Sequence, residues 1–136
     1  MSVTTTIEQQ NTETVRRGFK AFASGDMQTL NSLFHEDAEF HTVPAGVVKE
    51  AHCRGRGAIF EMFALLKKET NGTFAPRAVT HAASGDEVFV RSEATGERNG
   101  HKLTIDEVLL FRLAGGRVKD VRVYINDPPE YMRAWS

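Results

Sequence analysis

The feature that most constrains the fold is a change in the spacing of apolar residues near residue 70. Before it, apolar residues recur at helical spacing in three segments, with one alternating segment at 38–43. After it, they alternate throughout with the two-residue period of β-strands. Turn-type sequences at 84–87, 96–100 and 114–116 divide the second part into four strands. Helices followed by a run of hairpins favour an α+β fold over alternating βαβ units.

The predicted elements follow from these periods and from capping and breaking residues. The predicted helices span 12–23, 27–34 and 57–69, with Asn11 or Thr12 as the first N-cap. The predicted strands span 38–43, 74–82, 87–95, 102–113 and 117–125. A short extra strand is expected near Val47 and Val48, and 126–135 allows one helical turn.

The sheet predicted by these strands needs a cover for its apolar face. Three amphipathic helices in the N-terminal half can provide it, and a curled sheet around helices leaves a conical interior that can hold a ligand. We therefore predict a curved antiparallel sheet packed with three helices. Residues 1–136 show no repeat or linker and are expected to form one domain, with a flexible polar end at 1–10.

Composition excludes several classes of partner. The net charge is −1 and the signs are mixed along the chain, which argues against nucleic acid and anionic membranes as partners. No apolar run approaches the roughly 20 residues of a membrane span. Cys53 is the single cysteine, which favours a reducing, cytoplasmic location and excludes a cysteine-based zinc site. No histidine or carboxylate set has metal-ligand spacing, so no metal is predicted.

The segment 88–95 places a cation and an anion on one face of a strand. Arg91 and Glu93 are two residues apart, so their side chains point the same way. The opposite face carries the small or apolar residues Val88, Val90, Ser92 and Ala94. If the charged face is solvated, the pair is a surface ion pair; if it lines a cavity, it is part of an active site.

Five short motifs resemble the nuclear transport factor 2-like superfamily. They are FASGD at 22–26, LFHEDA at 33–38, GRG at 55–57, FRLAGGRV at 111–118 and VYIND at 123–127. The resemblance covers nearly the whole chain and is to the SnoaL-like polyketide cyclase, ketosteroid isomerase and limonene epoxide hydrolase branches. It implies a cone-shaped pocket between sheet and helices, and a homodimer formed through the outer face of the sheet.

The epoxide hydrolase branch supplies one set of matched positions. Its Arg-x-Asp strand matches Arg91 and Glu93, and its second aspartate matches Asn126. Its tyrosine and asparagine, which hold the water, match Phe40 and Thr42. The resemblance implies that Phe40 and Thr42 face the pocket, whereas the water-holding groups themselves are changed.

The ketosteroid isomerase branch supplies a second set. Its aspartate base matches Thr42, its oxyanion tyrosine matches Gly18, and its second acid matches Glu107. Threonine cannot serve as the base and glycine has no side chain, so steroid isomerisation by that mechanism is not expected. Only the acid at Glu107 is kept.

These matches lead to one main hypothesis, a cofactor-independent enzyme that acts on an apolar small molecule. SnoaL-like cyclases need one acid/base in an apolar pocket, and here it would be Glu93, oriented by Arg91, or Glu107. Isomerisation, cyclisation, dehydration and epoxide opening all remain open. Tyr124 and Asn126 would position the substrate, because the resemblance turns their face towards the mouth of the cone.

Two alternatives have no catalysis. One is a small-molecule-binding or association domain of the same fold, and the other is a protein-interaction scaffold whose pocket is plugged by aromatic side chains. Strand alternation predicts that His41 points away from the pocket. The face of His81 is not defined by the sequence. For both histidines a structural role is favoured over catalysis.

Overall fold

A computed structural model describes residues 6–136 of the chain. The helices are α1 (Ile7–Ser24), α2 (Met27–Leu33), α3 (Arg56–Glu69) and α4 (Pro128–Trp135). The strands are β1 (Phe34–His41), β2 (His52–Arg54), β3 (Ala75–Ser84), β4 (Glu87–Arg98), β5 (His101–Ala114) and β6 (Arg117–Ile125). The predicted α+β class and the three helices of the N-terminal half are confirmed. No described helix is long and apolar enough to cross a membrane.

Helix α1 begins before the N-cap that the sequence predicted at Asn11 or Thr12. Its N-cap is Thr6, whose Oγ1 accepts a hydrogen bond from the Gln9 N–H at 3.1 Å. The Gln9 Oε1 accepts in return from the Thr6 N–H at 2.9 Å. This capping box satisfies two backbone donors that would otherwise lack partners, and so it adds a turn to the helix. Asn11 lies inside the helix and is buried.

The polar N-terminal segment, predicted to be flexible over 1–10, is described only in part. Residues 7–10 form the first turn of α1 instead of a frayed end, because the capping box holds that turn. Residues 1–5 of the predicted segment lie outside the described residues.

The six strands form one curved, unclosed sheet in the order β2-β1-β6-β5-β4-β3. Strands β3 to β6 are joined by tight turns into an antiparallel meander, as predicted. One pair departs from the antiparallel pattern, because β1 runs parallel to β6. A parallel pair needs a long connection, and here the whole segment from β2 to β5 provides it.

The loop after β1 contains a strand at a different place from the predicted one. Ala45 and Val48 form a single bridge across a tight turn. The strand is β2, which pairs antiparallel with β1 so that Phe40 lies opposite Cys53. The sheet thus ends at a three-residue edge strand beside β1.

The inner face of the sheet is apolar along both long central strands. On β4 and β5 it carries Val88, Val90, Ala94, Leu103, Ile105, Leu109 and Phe111, all buried. Helix α1 packs against β3 and β4, α3 against β1 and β2, and α4 against β5. Because side chains alternate along a strand, this burial fixes which residues of every strand face the helices.

Helix α4 closes one end of this arrangement. Asp127 caps it by accepting a hydrogen bond from the Glu130 N–H at 3.2 Å, and Trp135 is 1% exposed. The Val47 N–H donates to the Trp135 carbonyl at 2.9 Å. Gly46 has φ +50°, and a Cβ there would lie 1.7 Å from the Trp135 carbonyl oxygen. Only glycine therefore allows the loop and α4 to approach this closely.

Substitution of Gly46 by alanine should destabilise the fold strongly. The left-handed backbone costs about 1–2 kcal/mol for any residue with a Cβ. The clash with the end of α4 should bring the total loss to roughly 3 kcal/mol or more. Equilibrium urea denaturation measures the loss. Gly115→Ala is the matched control, because Gly115 has φ +59° with nothing near its Cβ position. If both variants lose the same free energy of unfolding, the clash with α4 adds nothing to the cost of the left-handed backbone.

Candidate functional site

A cavity lies between the inner face of the sheet and helices α1, α2, α3 and α4. It encloses about 120 Å³. Most of its wall is apolar, with phenylalanines at 19, 22, 34, 40, 63, 74 and 111. Among residues 6–136, the polar side chains of the wall are Thr14, Thr42, Glu107, Tyr131 and Trp135, and Glu107 is the only ionisable carboxyl or cation of this set. An apolar cavity with few polar groups is typical of a small-molecule site.

Glu107 reaches the cavity because it occupies an inner-face position of β5. Its neighbours on that face are Ile105 and Leu109, which are 3% and 8% exposed. No cation of the described residues forms an ion pair with it, and burial, aided by the negative charge of Asp106, raises its pKa to about 7. Near neutral pH the carboxyl can therefore either give or take a proton.

Ser92 lies directly across from Glu107, on the inner face of β4. It is 0% exposed, and its Oγ has no hydrogen-bond partner within the described residues. Side chains opposite each other in an antiparallel pair have Cβ atoms about 5 Å apart. The carboxyl of Glu107 thus has a hydroxyl as its cross-strand neighbour, in an otherwise apolar surrounding.

Tyr131 brings a second polar group to the cavity from α4. Its O–H donates to the Val43 carbonyl at 2.6 Å, and its oxygen lies 3.5 Å from the Thr42 Oγ1. Burial raises the pKa of Tyr131, the hydrogen bond with Thr42 opposes the increase, and the charge of Glu107 adds to it. The phenol stays protonated at neutral pH, and Thr42 is the donor in its contact with Tyr131.

Arg91 and Glu93 lie on the outer face of the sheet, so the expectation that they face the pocket is wrong. The buried side chain between them is Ser92, and alternation turns its neighbours outwards. Arg91 pairs with Glu93 at 3.5 Å and with Asp106 at 3.4 Å, and Glu93 pairs with Arg77 at 3.0 Å. These side chains are between about one third and 70% exposed, which makes them a surface ion-pair network.

Tyr124 and Asn126 also lie on the outer face, contrary to the expectation that they look into the cone. Tyr124 is 53% exposed and is opposite Val108, an outer-face residue of β5. The Asn126 amide donates to the Asp106 Oδ2 at 3.0 Å. The reason is again alternation: Val123 and not Tyr124 lines the cavity.

Of the residues predicted from the sequence, Glu107, Phe40 and Thr42 meet at the cavity. His41 lies on the outer face, as alternation predicted, and His81 is exposed on β3. Tyr131 was missed. Its spacing of four residues from Trp135, after an Asp-Pro-Pro helix start, is the signal that could have placed it on the buried face of a C-terminal helix.

Comparison with known proteins places this chain in a family. Residues 15–121 match the family model described as a SnoaL-like domain, and the chain belongs to the SnoaL-like family. Its fold is shared with proteins of the nuclear transport factor 2-like superfamily. No curated protein sequence matches the chain.

Three solved structures are similar over almost the entire chain. Bal32a, from a soil-derived mobile gene cassette, is 38% identical with a TM-score of 0.90, covering 95% of this chain and 98% of Bal32a. A protein of unknown function with a cystatin-like fold from Xanthomonas campestris is 28% identical, with a TM-score of 0.84 and coverage of 93% and 98%. A candidate SnoaL-like polyketide cyclase from Jannaschia sp. CCS1 is 23% identical, with a TM-score of 0.79 and coverage of 100% and 98%.

The raised pKa of Glu107 should make the stability of the protein depend on pH. Between pH 4.5 and about 7 the unfolded chain ionises Glu107 while the folded chain keeps it protonated. The free energy of unfolding therefore falls as pH rises through this window, by roughly 3 kcal/mol for this group. Urea denaturation at pH 5 and pH 8 measures the free energy of unfolding at each pH. For Glu107→Gln this contribution to the fall between the two pH values should be absent.

Glu93→Gln is the control for this measurement, since it changes a glutamate on the neighbouring strand that faces solvent. It should keep the decline of the unmodified protein. If Glu107→Gln and the unmodified protein lose stability in parallel, Glu107 is not held protonated by the fold.

Proposed function

We propose that this protein is a cofactor-independent enzyme that moves a proton on an apolar small molecule, with Glu107 as the acid/base. The observation that carries the proposal is the isolation of one carboxyl in an apolar cavity. Within the part of the chain that the structure describes, Glu107 is the only charged side chain of that wall, and burial raises its pKa to about 7. A carboxyl tuned in this way suits general acid–base catalysis at neutral pH.

The ionised carboxylate would take a proton from a carbon next to a carbonyl of the substrate. The resulting acid would return the proton at another atom, which gives isomerisation, or would protonate an oxygen, which assists cyclisation or loss of water. Apolar walls strengthen the base because they withhold water from it. The oxygens of Thr42 and Tyr131 would accept a hydrogen bond from a hydroxyl group of the substrate, since their own O–H groups already donate within the protein. Phe40 would pack against the apolar part of the substrate.

The family supports this chemistry over epoxide opening. The Jannaschia protein is a candidate SnoaL-like polyketide cyclase. Polyketides carry several carbonyl groups, next to which a carbon-bound proton can be removed. The Arg91–Glu93 pair, which resembles the epoxide hydrolase half-site, is on the outer face. The cavity therefore offers one carboxyl and no cation within the described residues, which fits carbon acid chemistry better than hydrolysis of an epoxide.

A non-catalytic binding domain is the second candidate function. Two observations favour it. The wall has few polar groups, and the Tyr131 O–H already donates its hydrogen bond to the Val43 carbonyl. In that function Glu107 would stay protonated and donate a single hydrogen bond to the ligand.

A homodimer formed through the outer face of the sheet stays a prediction. Phe89, 39% exposed, and Tyr124, 53% exposed, are large side chains on that face and support it. Sedimentation analysis of the unmodified protein and of Tyr124→Arg tests it. The unmodified protein should be a dimer and the variant a monomer, and a monomer in both cases would contradict the prediction.

Exchange of carbon-bound protons with solvent tests the proposed chemistry before the natural substrate is known. Aromatic and polycyclic ketones are incubated with the protein in D₂O, and deuterium uptake next to the carbonyl is followed by NMR. Glu107→Gln should reduce the exchange rate of an accepted ketone by about 10²–10⁴-fold, the usual contribution of a general base. The rate should rise with pH through about 7, as the carboxyl ionises.

Glu93→Gln should exchange at the rate of the unmodified protein. Ketones that bind in the cavity without exchange would overturn catalysis and favour the binding domain. Exchange that survives in Glu107→Gln would remove Glu107 from the mechanism.

A further inference from the structure

We propose that Glu39, His41 and His52 form a binding site for a transition-metal cation of the Zn²⁺ type on the outer face of the sheet edge. Each residue offers one ligand atom, and these three atoms lie within 4.8 Å of one another. The site is separate from the cavity, because none of the three side chains lines it.

Strand register brings the three ligands together. His41 on β1 and His52 on β2 are direct cross-strand partners. Glu39 precedes His41 by two residues and therefore shares its face. All three groups project from a hydrogen-bonded ladder, so the separation of their Cα atoms is fixed by the sheet and does not depend on a loop.

A buried carboxylate supports one of the two histidines. The Asp120 side chain, 7% exposed, places its Oδ1 3.0 Å from the His41 Nε2. The Arg122 Nε donates to the other oxygen of Asp120 at 3.2 Å, which holds that carboxylate in place. Histidines that bind metals typically donate their second ring N–H to a carboxylate in this manner. With Nε2 directed at Asp120, Nδ1 of His41 would be the ligand atom.

The second histidine already faces the carboxylate ligand. The His52 Nε2 lies 3.0 Å from the Glu39 Oε1. The imidazole rings of His41 and His52 are stacked, with centroids 4.2 Å apart and planes 20° apart. A metal ion lies in the plane of each ring that binds it, so one ring must turn when the cation enters. The terminal torsion of histidine is broad, and the two side chains are 27% and 30% exposed, which leaves room for the turn.

The charges around the site favour a cation only moderately. Glu39 and Asp120 are offset by Arg54, whose Nε is 4.0 Å from Glu39, and by Arg122. The Arg54 side chain is 80% exposed and can move into solvent when a cation replaces it. We therefore expect a site of moderate affinity that three protein ligands and water would complete.

The donor set selects the class of metal. Two imidazoles and one carboxylate suit Zn²⁺, Cu²⁺ or Ni²⁺, whereas Mg²⁺ and Ca²⁺ prefer oxygen ligands only. Cys53 does not contribute, although it is adjacent to His52 in sequence. It is 6% exposed on the inner face, and burial raises the pKa of its thiol.

Isothermal titration of the full chain with ZnCl₂ tests the site. We expect one Zn²⁺ per chain and no heat from MgCl₂. His52→Ala should weaken Zn²⁺ binding by about tenfold or more, since it removes one of three ligands. His101→Ala is the matched control, because His101 is exposed on β5 away from the cluster, and it should bind Zn²⁺ as the unmodified protein does.

A measurement on the unmodified protein guards against a variant that fails to fold. Addition of Zn²⁺ should shift or broaden the ring NMR signals of His41 and His52, while those of His81 and His101 stay unchanged. The proposal is overturned if Zn²⁺ does not bind, if His52→Ala binds it with unchanged affinity, or if the four histidines respond alike.

Discussion

The burial of one face of the β4–β5 hairpin against the helices is the constraint on which the rest of the structure depends. Val88, Val90, Ser92 and Ala94 point inwards from β4, and the partner strand turns the same face with Ile105, Glu107 and Leu109. A register slip of one residue would expose this whole set to water. The apolar members therefore decide where Glu107 lies, although Glu107 itself gains nothing from burial.

The same constraint divides the charged groups of the protein into two classes. Glu107 lies in the cavity and forms no ion pair with a cation of residues 6–136, and burial raises its pKa to about 7. Arg91, Glu93 and Asp106 are carried to the outer face, where they pair with one another. At the sheet edge, alternation along β1 and β2 likewise separates Cys53, which is inside, from His41 and His52, which are outside.

Part of this arrangement could be predicted from the sequence. The meander at 74–125 and the helices around Val15 and Met62 follow from periodicity and turn residues, because those signals are local. The pocket positions of Phe40, Thr42 and Glu107 followed from family resemblance. The resemblance failed at Arg91, Glu93, Tyr124 and Asn126, because matching motifs does not fix which face of a strand is buried. Burial of the apolar side chains Val88, Val90 and Ala94 against the helices fixes it.

The sequence by itself determined the α+β class, the order of the elements and the strand alternation, since these depend on neighbouring residues. Only the tertiary structure decided which face of each strand is buried, that β1 joins the sheet parallel to β6, and that Tyr131 returns to the cavity on α4. It also decided that Glu39, His41 and His52 meet at one edge. These outcomes depend on contacts between residues that are far apart in the chain. The apolar area that these contacts bury is defined only in the folded protein, so no single segment of the sequence determines it.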